Sequence, residues 1–265
     1  MKALIRIVIL ALVLSVFTSA KTGTVTRLHR LNTQADFGRF FSRTPRGRAM
    51  AEGIIPVIAQ QNPEYARKLI TSNHRYFVIV DKGLMRVFVY NRDGIPVDTF
   101  KMACAHNFGH KHEKGDNRTP EGFFSVSGIY NSTEWLFTDD DGVTSDKKGQ
   151  YGPRFIRLKV PGTTEIGLHG TSAPWTLGHR ATHGCVRLHN DNIMKLASML
   201  DRGTPVIINP GRRDRAVNRE ENYTSVWLNL SNSPDSILAI FEDSVRVYAP
   251  TDTAVLQYEP LNNQP

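Results

Sequence analysis

The chain has 265 residues, of which 40% are hydrophobic and 22% are charged, so the composition excludes a disordered or fibrous protein and allows a sizeable core. Its formal net charge of +8 favours contact with anionic polymers or surfaces. The basic residues are scattered and accompany no nucleic-acid-binding motif, so we predict no nucleic-acid partner.

The first twenty residues have the layout of a secretory signal peptide. Lys2 and Arg6 precede an apolar run from Ile7 to Phe17, and small residues follow up to Ala20. The run is shorter than the ~20 residues that a membrane-spanning helix needs. We therefore predict cleavage after Ala20, export to the periplasm or cell wall, and membrane contact only through the signal peptide before cleavage.

Residues 21–74 are predicted to form a small helical region packed on the main domain. No period is sustained from Lys21 to Thr44, whereas apolar residues recur at helical spacing from Pro45 onward. Asn62-Pro63 is expected to end one short helix and cap the next.

Residues 75–210 have the pattern of strands. Runs of β-branched and aromatic residues alternate with Gly-bearing turns, and the first three runs predict an antiparallel meander. A helix is predicted between Asn190 and Arg202. The predicted strands cover residues 76–80, 84–90, 97–102, 122–129, 154–160, 165–169 and 204–209. The fold is thus predicted to be mainly β, as two packed sheets or a partly open barrel with a few short helices.

Residues 211–265 form a predicted C-terminal extension. Gly211 to Arg215 indicates a basic connector, and two apolar runs, Ser225 to Leu230 and Ser244 to Tyr248, resemble strands. The sequence pattern does not indicate the function of this extension or of residues 21–74.

Cys185 is the first candidate for chemistry. Gly184 before it lets backbone N–H groups approach an oxyanion closely. A thiol attacks as thiolate and needs an imidazole to activate it. We prefer His169, at a predicted strand end, over His183 as that base, because a loop can bring it back to face the cysteine. A disulfide between Cys104 and Cys185 is the direct alternative.

Neither a metal nor a cofactor is predicted. Three histidines share a polar loop near Cys104, but the loop lacks the helical period that would align them as ligands: His106, His110 and His112. The acidic run after Thr138 lacks the distal Glu of a calcium loop. Trp135 to Phe137 is expected to form an apolar wall or lid beside the cleft.

Two motifs resemble the signature of the L,D-transpeptidase (YkuD-type) catalytic domains. Leu168-His169-Gly170-Thr171, followed by Thr182-His183-Gly184-Cys185-Val186-Arg187, is similar to the family's His-Gly pair and its Ser/Thr-His-Gly-Cys tetrapeptide. The run from Gly115 to Phe123 resembles the family's Thr-Pro-x-Gly-x-Phe element. The resemblance covers about half the chain, roughly residues 75–210.

The resemblance implies a cysteine acyltransferase that acts on peptidoglycan stem tetrapeptides, releases D-alanine and forms 3→3 crosslinks. It implies Cys185 as nucleophile, His169 as base and the Gly170 carbonyl as the group that orients the imidazole. Backbone N–H groups from His183 through Gly184 to Cys185 would form the oxyanion hole. The predicted substrate-binding residues are Arg187, Thr182 and Trp175.

Other functions stay open at this level. A hydrolytic relative would use water as the acceptor, as an L,D-carboxypeptidase or as an amidase that releases wall-linked protein. A wall-binding module with bridged cysteines would catalyse nothing. The acceptor depends on pocket shape and water exclusion, which motifs do not encode. The stem's diamino acid and the oligomeric state are equally undetermined by the sequence.

Overall fold

A computed structural model describes residues 31–138, 142–163 and 165–230. The predicted signal peptide and the run Ser244 to Tyr248 lie outside these residues. Within them, no helix is both long and apolar enough to cross a bilayer. The helices are α1 Gln34–Arg43, α2 Pro45–Met50, α3 Ile55–Gln61, α4 Pro63–Thr71, α5 Asn190–Met199 and α6 Arg212–Glu220, with a 3-10 turn at Pro174–Thr176. The strands are β1 Tyr76–Asp81, β2 Arg86–Asn91, β3 Pro96–Ala105, β4 Gly122–Asn131, β5 Leu136–Thr138, β6 Thr144–Lys148, β7 Arg154–Leu158, β8 Gly167–His169, β9 Arg180–Thr182, β10 Val186–Leu188 and β11 Pro205–Asn209.

The N-terminal helices are partly as predicted. Asn62 caps α4, since its Oδ1 accepts the Tyr65 N–H at 2.9 Å. The expectation of no periodic structure before Pro45 was wrong, because α1 occupies residues 34–43. A capping box starts this helix: Thr33 accepts from the Asp36 N–H, and the Asp36 carboxylate accepts from the Thr33 N–H.

Eight strands close into a barrel. Their order is β10-β8-β7-β4-β11-β1-β2-β3, and β10 also pairs with β3, which completes the ring. Strand β9 pairs in parallel with the last two residues of β3. The predicted meander β1-β2-β3 is confirmed, with antiparallel pairing throughout. The mainly β fold is confirmed as well. The short strands β5, β6, β9 and β10 were not predicted, because three to five residues carry too little pattern.

The continuous apolar runs of the central strands reflect burial on both faces. On β1, Val78 and Val80 point into the barrel interior, and Phe77 and Ile79 point outward. The interior is filled by apolar side chains from all eight strands of the ring and from α5. The outward residues of β1, β2 and β11 are covered by α1 to α4, so the helical region shares a core with the barrel.

The C-terminal extension joins the same core. Leu228 and Leu230 are buried with the N-terminal helices, and the Asn209 side chain bonds both backbone groups of Leu228, at 2.7 Å and 3.0 Å. The run from Ser225 to Leu230 forms no strand, so that prediction was wrong.

The predicted basic connector was also wrong, since residues 212–220 form α6. Its buried face is polar: Asp214 and Asn218, four positions apart, are the buried residues. A helix that buries an acid and an amide shows no apolar period, which is why the pattern concealed it. Asp214 also accepts the Gly211 N–H at 2.9 Å and so starts the helix.

We predict that Leu228→Ala lowers the free energy of unfolding by about 2–4 kcal/mol, because it opens a cavity in the shared core. The matched control is Val226→Ala on the same segment, where the side chain is exposed, with an expected change within ~0.5 kcal/mol. Urea denaturation followed by circular dichroism measures both. Equal losses in the two variants would mean that the segment does not pack as described.

Candidate active site

The parallel pairing of β8 with β10 places the candidate catalytic residues on one face. Arg187 pairs with His169, and Val186 pairs with Leu168. Leu168 and Val186 point into the barrel, so His169 and Arg187 point outward. Cys185, two positions before Arg187, shares that outward face. The site therefore lies on the outer surface of the barrel wall and not in its interior.

The Cys185 thiol is half-buried and protonated at neutral pH. Burial raises the pKa of this thiol to about 11, with the Glu165 charge adding to the shift. The Gly167 backbone N–H and the positive charges of Lys111 and Arg187 oppose the shift without overcoming it. The thiol donates to the Glu165 carbonyl oxygen at 3.3 Å.

His169 is buried and neutral. Burial, reinforced by the positive charge of Arg187, lowers the pKa of the imidazole to about 4, against the carbonyls of Gly170 and Tyr151. Its Nδ1 lies 2.6 Å from the Gly170 carbonyl oxygen, which only accepts, so Nδ1 carries the proton and Nε2 is the unprotonated nitrogen. The Phe155 ring stacks on the imidazole at 5.8 Å between centroids.

The loop before Cys185 is fixed by Gly184 and Thr119. Gly184 has φ +152°, and a Cβ there would lie 2.9 Å from Ile166 Cδ1. The buried Thr119 hydroxyl donates to the Gly184 carbonyl at 2.8 Å and accepts the Ala105 N–H at 3.0 Å. Because a trans peptide directs its C=O and N–H oppositely, the Cys185 N–H points away from Thr119.

Thr182 stabilises the loop that carries Cys185. Its buried hydroxyl donates to the Cys185 carbonyl at 2.7 Å and accepts the Gly184 N–H at 3.3 Å. Arg187 is held at the other side of the site, where its Nη1 donates to the Thr176 hydroxyl at 2.9 Å. Both residues line the cavity, but the Thr182 hydroxyl is already engaged by the loop.

One cavity of about 500 Å³ joins these residues, a volume suited to a small ligand. Leu136 and Phe137 of the β5–β6 hairpin line one side as an apolar wall, whereas Trp135, which was expected to belong to that wall, packs against Tyr130 and Phe155 instead. His183 also lines the cavity, and its exposed ring packs edge-on against Phe137 at 5.4 Å. Trp175 is 76% exposed and is not among the lining residues.

Several lining residues were missed by the sequence analysis. Tyr151 packs edge-on against His169 at 5.1 Å, and burial, with smaller contributions from Cys185 and Glu165, raises the pKa of its phenol to about 12. Lys111 and Lys114 approach from the loop that precedes Thr119. No motif marks these residues. Only Glu165 could have been identified as a lining residue from the sequence, because it lies just before the strand that ends in His169.

The disulfide alternative is wrong, since both cysteines are free. Cys104 belongs to the barrel interior, with its Sγ 3.9 Å from Met85 Sδ, and Cys185 points outward. Of the loop histidines, His110 stacks on Tyr223 at 4.2 Å, and its backbone N–H donates to Asn218. Among the described residues, no three His, Cys, Asp or Glu side chains come together as metal ligands do.

A barrel with a cysteine and a buried histidine in one cavity has the parts of a thiol-dependent enzyme. Residues 75–208, just over half of the chain, match the model of the YkuD family, the L,D-transpeptidase catalytic domain. The chain therefore belongs to the L,D-transpeptidase catalytic domain family.

Two relatives carry names that assign them to the L,D-transpeptidases. YqjB of Bacillus subtilis (strain 168) is 32% identical over 102 residues, which are 38% of this chain and 57% of that protein. ErfK/SrfK of Escherichia coli (strain K12) is 22% identical over 184 residues, 66% of this chain and 57% of that protein. The chain thus spans less than two thirds of the length of these relatives.

Two solved structures are similar to part of this chain. The catalytic domain of the L,D-transpeptidase from E. faecium has a TM-score of 0.39 and 20% identity, over 52% of this chain and 99% of that one. The helical cell shape determining protein Pgp2 from Campylobacter jejuni has a TM-score of 0.41 and 20% identity, over 53% of each chain.

We predict that alkylation of Cys185 by iodoacetamide accelerates with pH up to the raised pKa of about 11. An ordinary thiol levels off near about 8.5. The rate is measured by mass spectrometry of the intact protein, and Cys185→Ala gives the background from Cys104. A plateau at or below neutral pH would instead mean a preformed thiolate–imidazolium pair and would overturn the protonation states given above.

We predict that Thr119→Val costs about 1–3 kcal/mol of folding free energy, because it leaves the Gly184 carbonyl and the Ala105 N–H without their partner. Thr99→Val is the matched control, since the buried Thr99 hydroxyl has no partner among the described residues and its loss should cost close to nothing. Denaturant unfolding compares the two. Indistinguishable midpoints would refute the bridging role of Thr119.

Proposed function

We propose that this protein is an exported L,D-transpeptidase that forms a thioester on Cys185 with a peptidoglycan stem tetrapeptide. The observation that carries the proposal is the opening of the Cys185 thiol and the buried His169 imidazole into one cavity, within the segment that matches the family. The reaction class is acyl transfer, with the peptide carbonyl as electrophile. It needs no metal and no organic cofactor.

In the first half-reaction, Cys185 Sγ attacks the carbonyl that joins the diamino acid to the terminal D-alanine. His169 Nε2 takes the thiol proton as the C–S bond forms, and the Gly170 carbonyl stabilises the imidazolium through Nδ1–H. The C–N bond then breaks, and the leaving D-alanine amine takes the proton from His169. The Cys185 N–H, which points away from Thr119, would donate to the tetrahedral oxyanion.

The protonation states support general base catalysis by His169. A neutral imidazole accepts a proton at neutral pH, and the half-buried thiol becomes a strong nucleophile at the moment it transfers its proton. The substrate also excludes water from the cavity, which strengthens the hydrogen bonds that stabilise the charge. The pH dependence of acylation should therefore reflect the histidine on its acidic side.

The charged side chains of the cavity are complementary to the carboxylates and the ammonium of a stem peptide. Lys111 and Arg187 are cations near the thiol, and Lys114 faces the Glu165 carboxylate at 3.7 Å. A stem tetrapeptide presents carboxylates and an ammonium in this region. We assign the terminal carboxylate to the cations and the ammonium to Glu165. Trp175, exposed beside the turn that holds Arg187, is kept as a contact for the more distant part of the substrate.

In the second half-reaction, an amine from a neighbouring stem attacks the thioester. His169 takes a proton from that amine and returns it to the Cys185 sulfur as the C–S bond breaks, which leaves a 3→3 crosslink and a free thiol. A reaction on wall stem peptides would take place in the periplasm or cell wall, which agrees with the predicted signal peptide.

We expect Cys185→Ala to abolish D-alanine release from a purified disaccharide-tetrapeptide, because the other thiol of the chain, Cys104, is buried in the barrel interior and cannot form the thioester in its place. The products are identified by mass spectrometry. Cys104→Ala is the matched control, since it removes the other thiol from the barrel interior and should leave turnover in place under conditions where the variant is folded.

The products separate the proposal from its relatives. A crosslinked dimer supports the transpeptidase, whereas a tripeptide alone would mean that water is the acceptor. Release of the glycan or of an attached protein would mean an amidase. Persistent turnover in Cys185→Ala would reject the cysteine mechanism altogether.

A further inference from the structure

Four charged side chains form a buried cluster outside the catalytic cavity. Lys82 and Glu121 have fully buried side chains, Asp214 is 1% exposed and Arg180 is 10% exposed. Lys82 Nζ lies 2.7 Å from Glu121 Oε1 and 3.0 Å from Asp214 Oδ1. Arg180 Nη2 lies 2.9 Å and 2.7 Å from the two Asp214 oxygens. The two cations and two anions balance.

The cluster reaches the catalytic loop along two routes. Arg180 begins β9, the strand that leads directly into Thr182 and Cys185. Lys82 donates to the Thr119 carbonyl at 3.1 Å, and the Thr119 hydroxyl holds the Gly184 carbonyl. Both routes therefore end on the residues that orient Cys185.

The cluster also fixes the loop that brings Lys111 to the cavity. Lys82 donates to the Gly109 carbonyl at 2.8 Å, and Asp214 accepts the Gly109 N–H at 2.9 Å. Arg180 Nη1 donates to the Asn107 carbonyl at 3.0 Å, and its guanidinium stacks over the Phe108 ring at 3.9 Å. The Asp214 carboxylate of α6 therefore holds two segments that line the cavity: β9, through Arg180, and the loop that carries Lys111, through Gly109.

Buried ion pairs add little net stability compared with apolar packing, because desolvation offsets their attraction. Their geometry is nevertheless specific, since each charge must keep its partners. Burial acts to raise the pKa of Asp214, but Lys82 and Arg180 outweigh it and hold the pKa below its usual value, so the carboxylate stays charged. The cluster has the properties of a positioning device more than of a stabilising one.

We infer that Arg180 and Asp214 are positioning residues, through which α6, outside the matched family segment, sets the geometry of the Cys185 loop. Neither residue lines the cavity, so they act through β9 and the loop and not on the substrate. The inference rests on the proposed function for its kinetic consequence but not for its structural one.

The test is Arg180→Lys in the full chain, with Arg213→Lys as matched control. Lysine keeps the cluster neutral but cannot span both Asp214 and the carbonyls that Arg180 binds. Arg213 also approaches Phe108, at 4.9 Å, but is exposed and outside the cluster. We expect Arg180→Lys to lower kcat about tenfold or more with little change in KM, since small misplacements of reacting groups are costly.

The rate of amide hydrogen exchange over residues 181–187 should rise, while the rate in α1 to α4 stays unchanged. Asp214→Asn should give the same pattern if it folds.

The control should match the parent protein in every measurement. Unchanged kcat and exchange in Arg180→Lys would overturn the inference, as would an equal rise in exchange across the whole chain, which means general destabilisation. If the parent shows no turnover with the tetrapeptide, the proposed function fails, and the exchange pattern alone decides the inference.

Discussion

The site depends on the parallel pairing of two three-residue strands, β8 and β10. Their register sets His169 beside Arg187 and leaves Cys185 on the same outward face. A slip of one residue would turn these side chains into the barrel and bring Leu168 and Val186 to the surface. The apolar interior prevents that slip, because those two residues are fully buried there. The chemistry is thus aligned by the hydrophobic core on the opposite side of the wall.

The site is electrostatically different from a preformed ion pair. Desolvation dominates both shifts, so the thiol keeps its proton and the imidazole lacks one. In the proposed mechanism, each group is in the form that the attack requires at its start, and charge appears only as the proton moves. The Gly170 carbonyl has a fixed place in that proposal, since it is already hydrogen bonded to the Nδ1 that would become part of the cation.

Much of this could be read from the sequence, and the misses share one physical origin. The long strands and the Asn62 cap follow from local patterns, and Cys185 and His169 were selected from their neighbours. What was missed is set by tertiary contacts. Helix α6 buries Asp214 and Asn218, so it has no apolar period to detect. Tyr151 reaches the cavity only because β7 pairs with β8 and brings its preceding turn against His169.

The boundary of the family match is therefore not the boundary of the structure that supports the site. The matched segment ends at residue 208, yet Asn209 bonds to the Leu228 backbone and Asp214 neutralises two cations from within that segment. Removing the extension would leave Lys82 and Arg180 with a single buried carboxylate between them, a costly arrangement in a low-dielectric interior. The helical region and the extension also cover the outward apolar residues of β1, β2 and β11. In this chain the catalytic motif is contained in half of the sequence, but the forces that hold it in place come from both flanks.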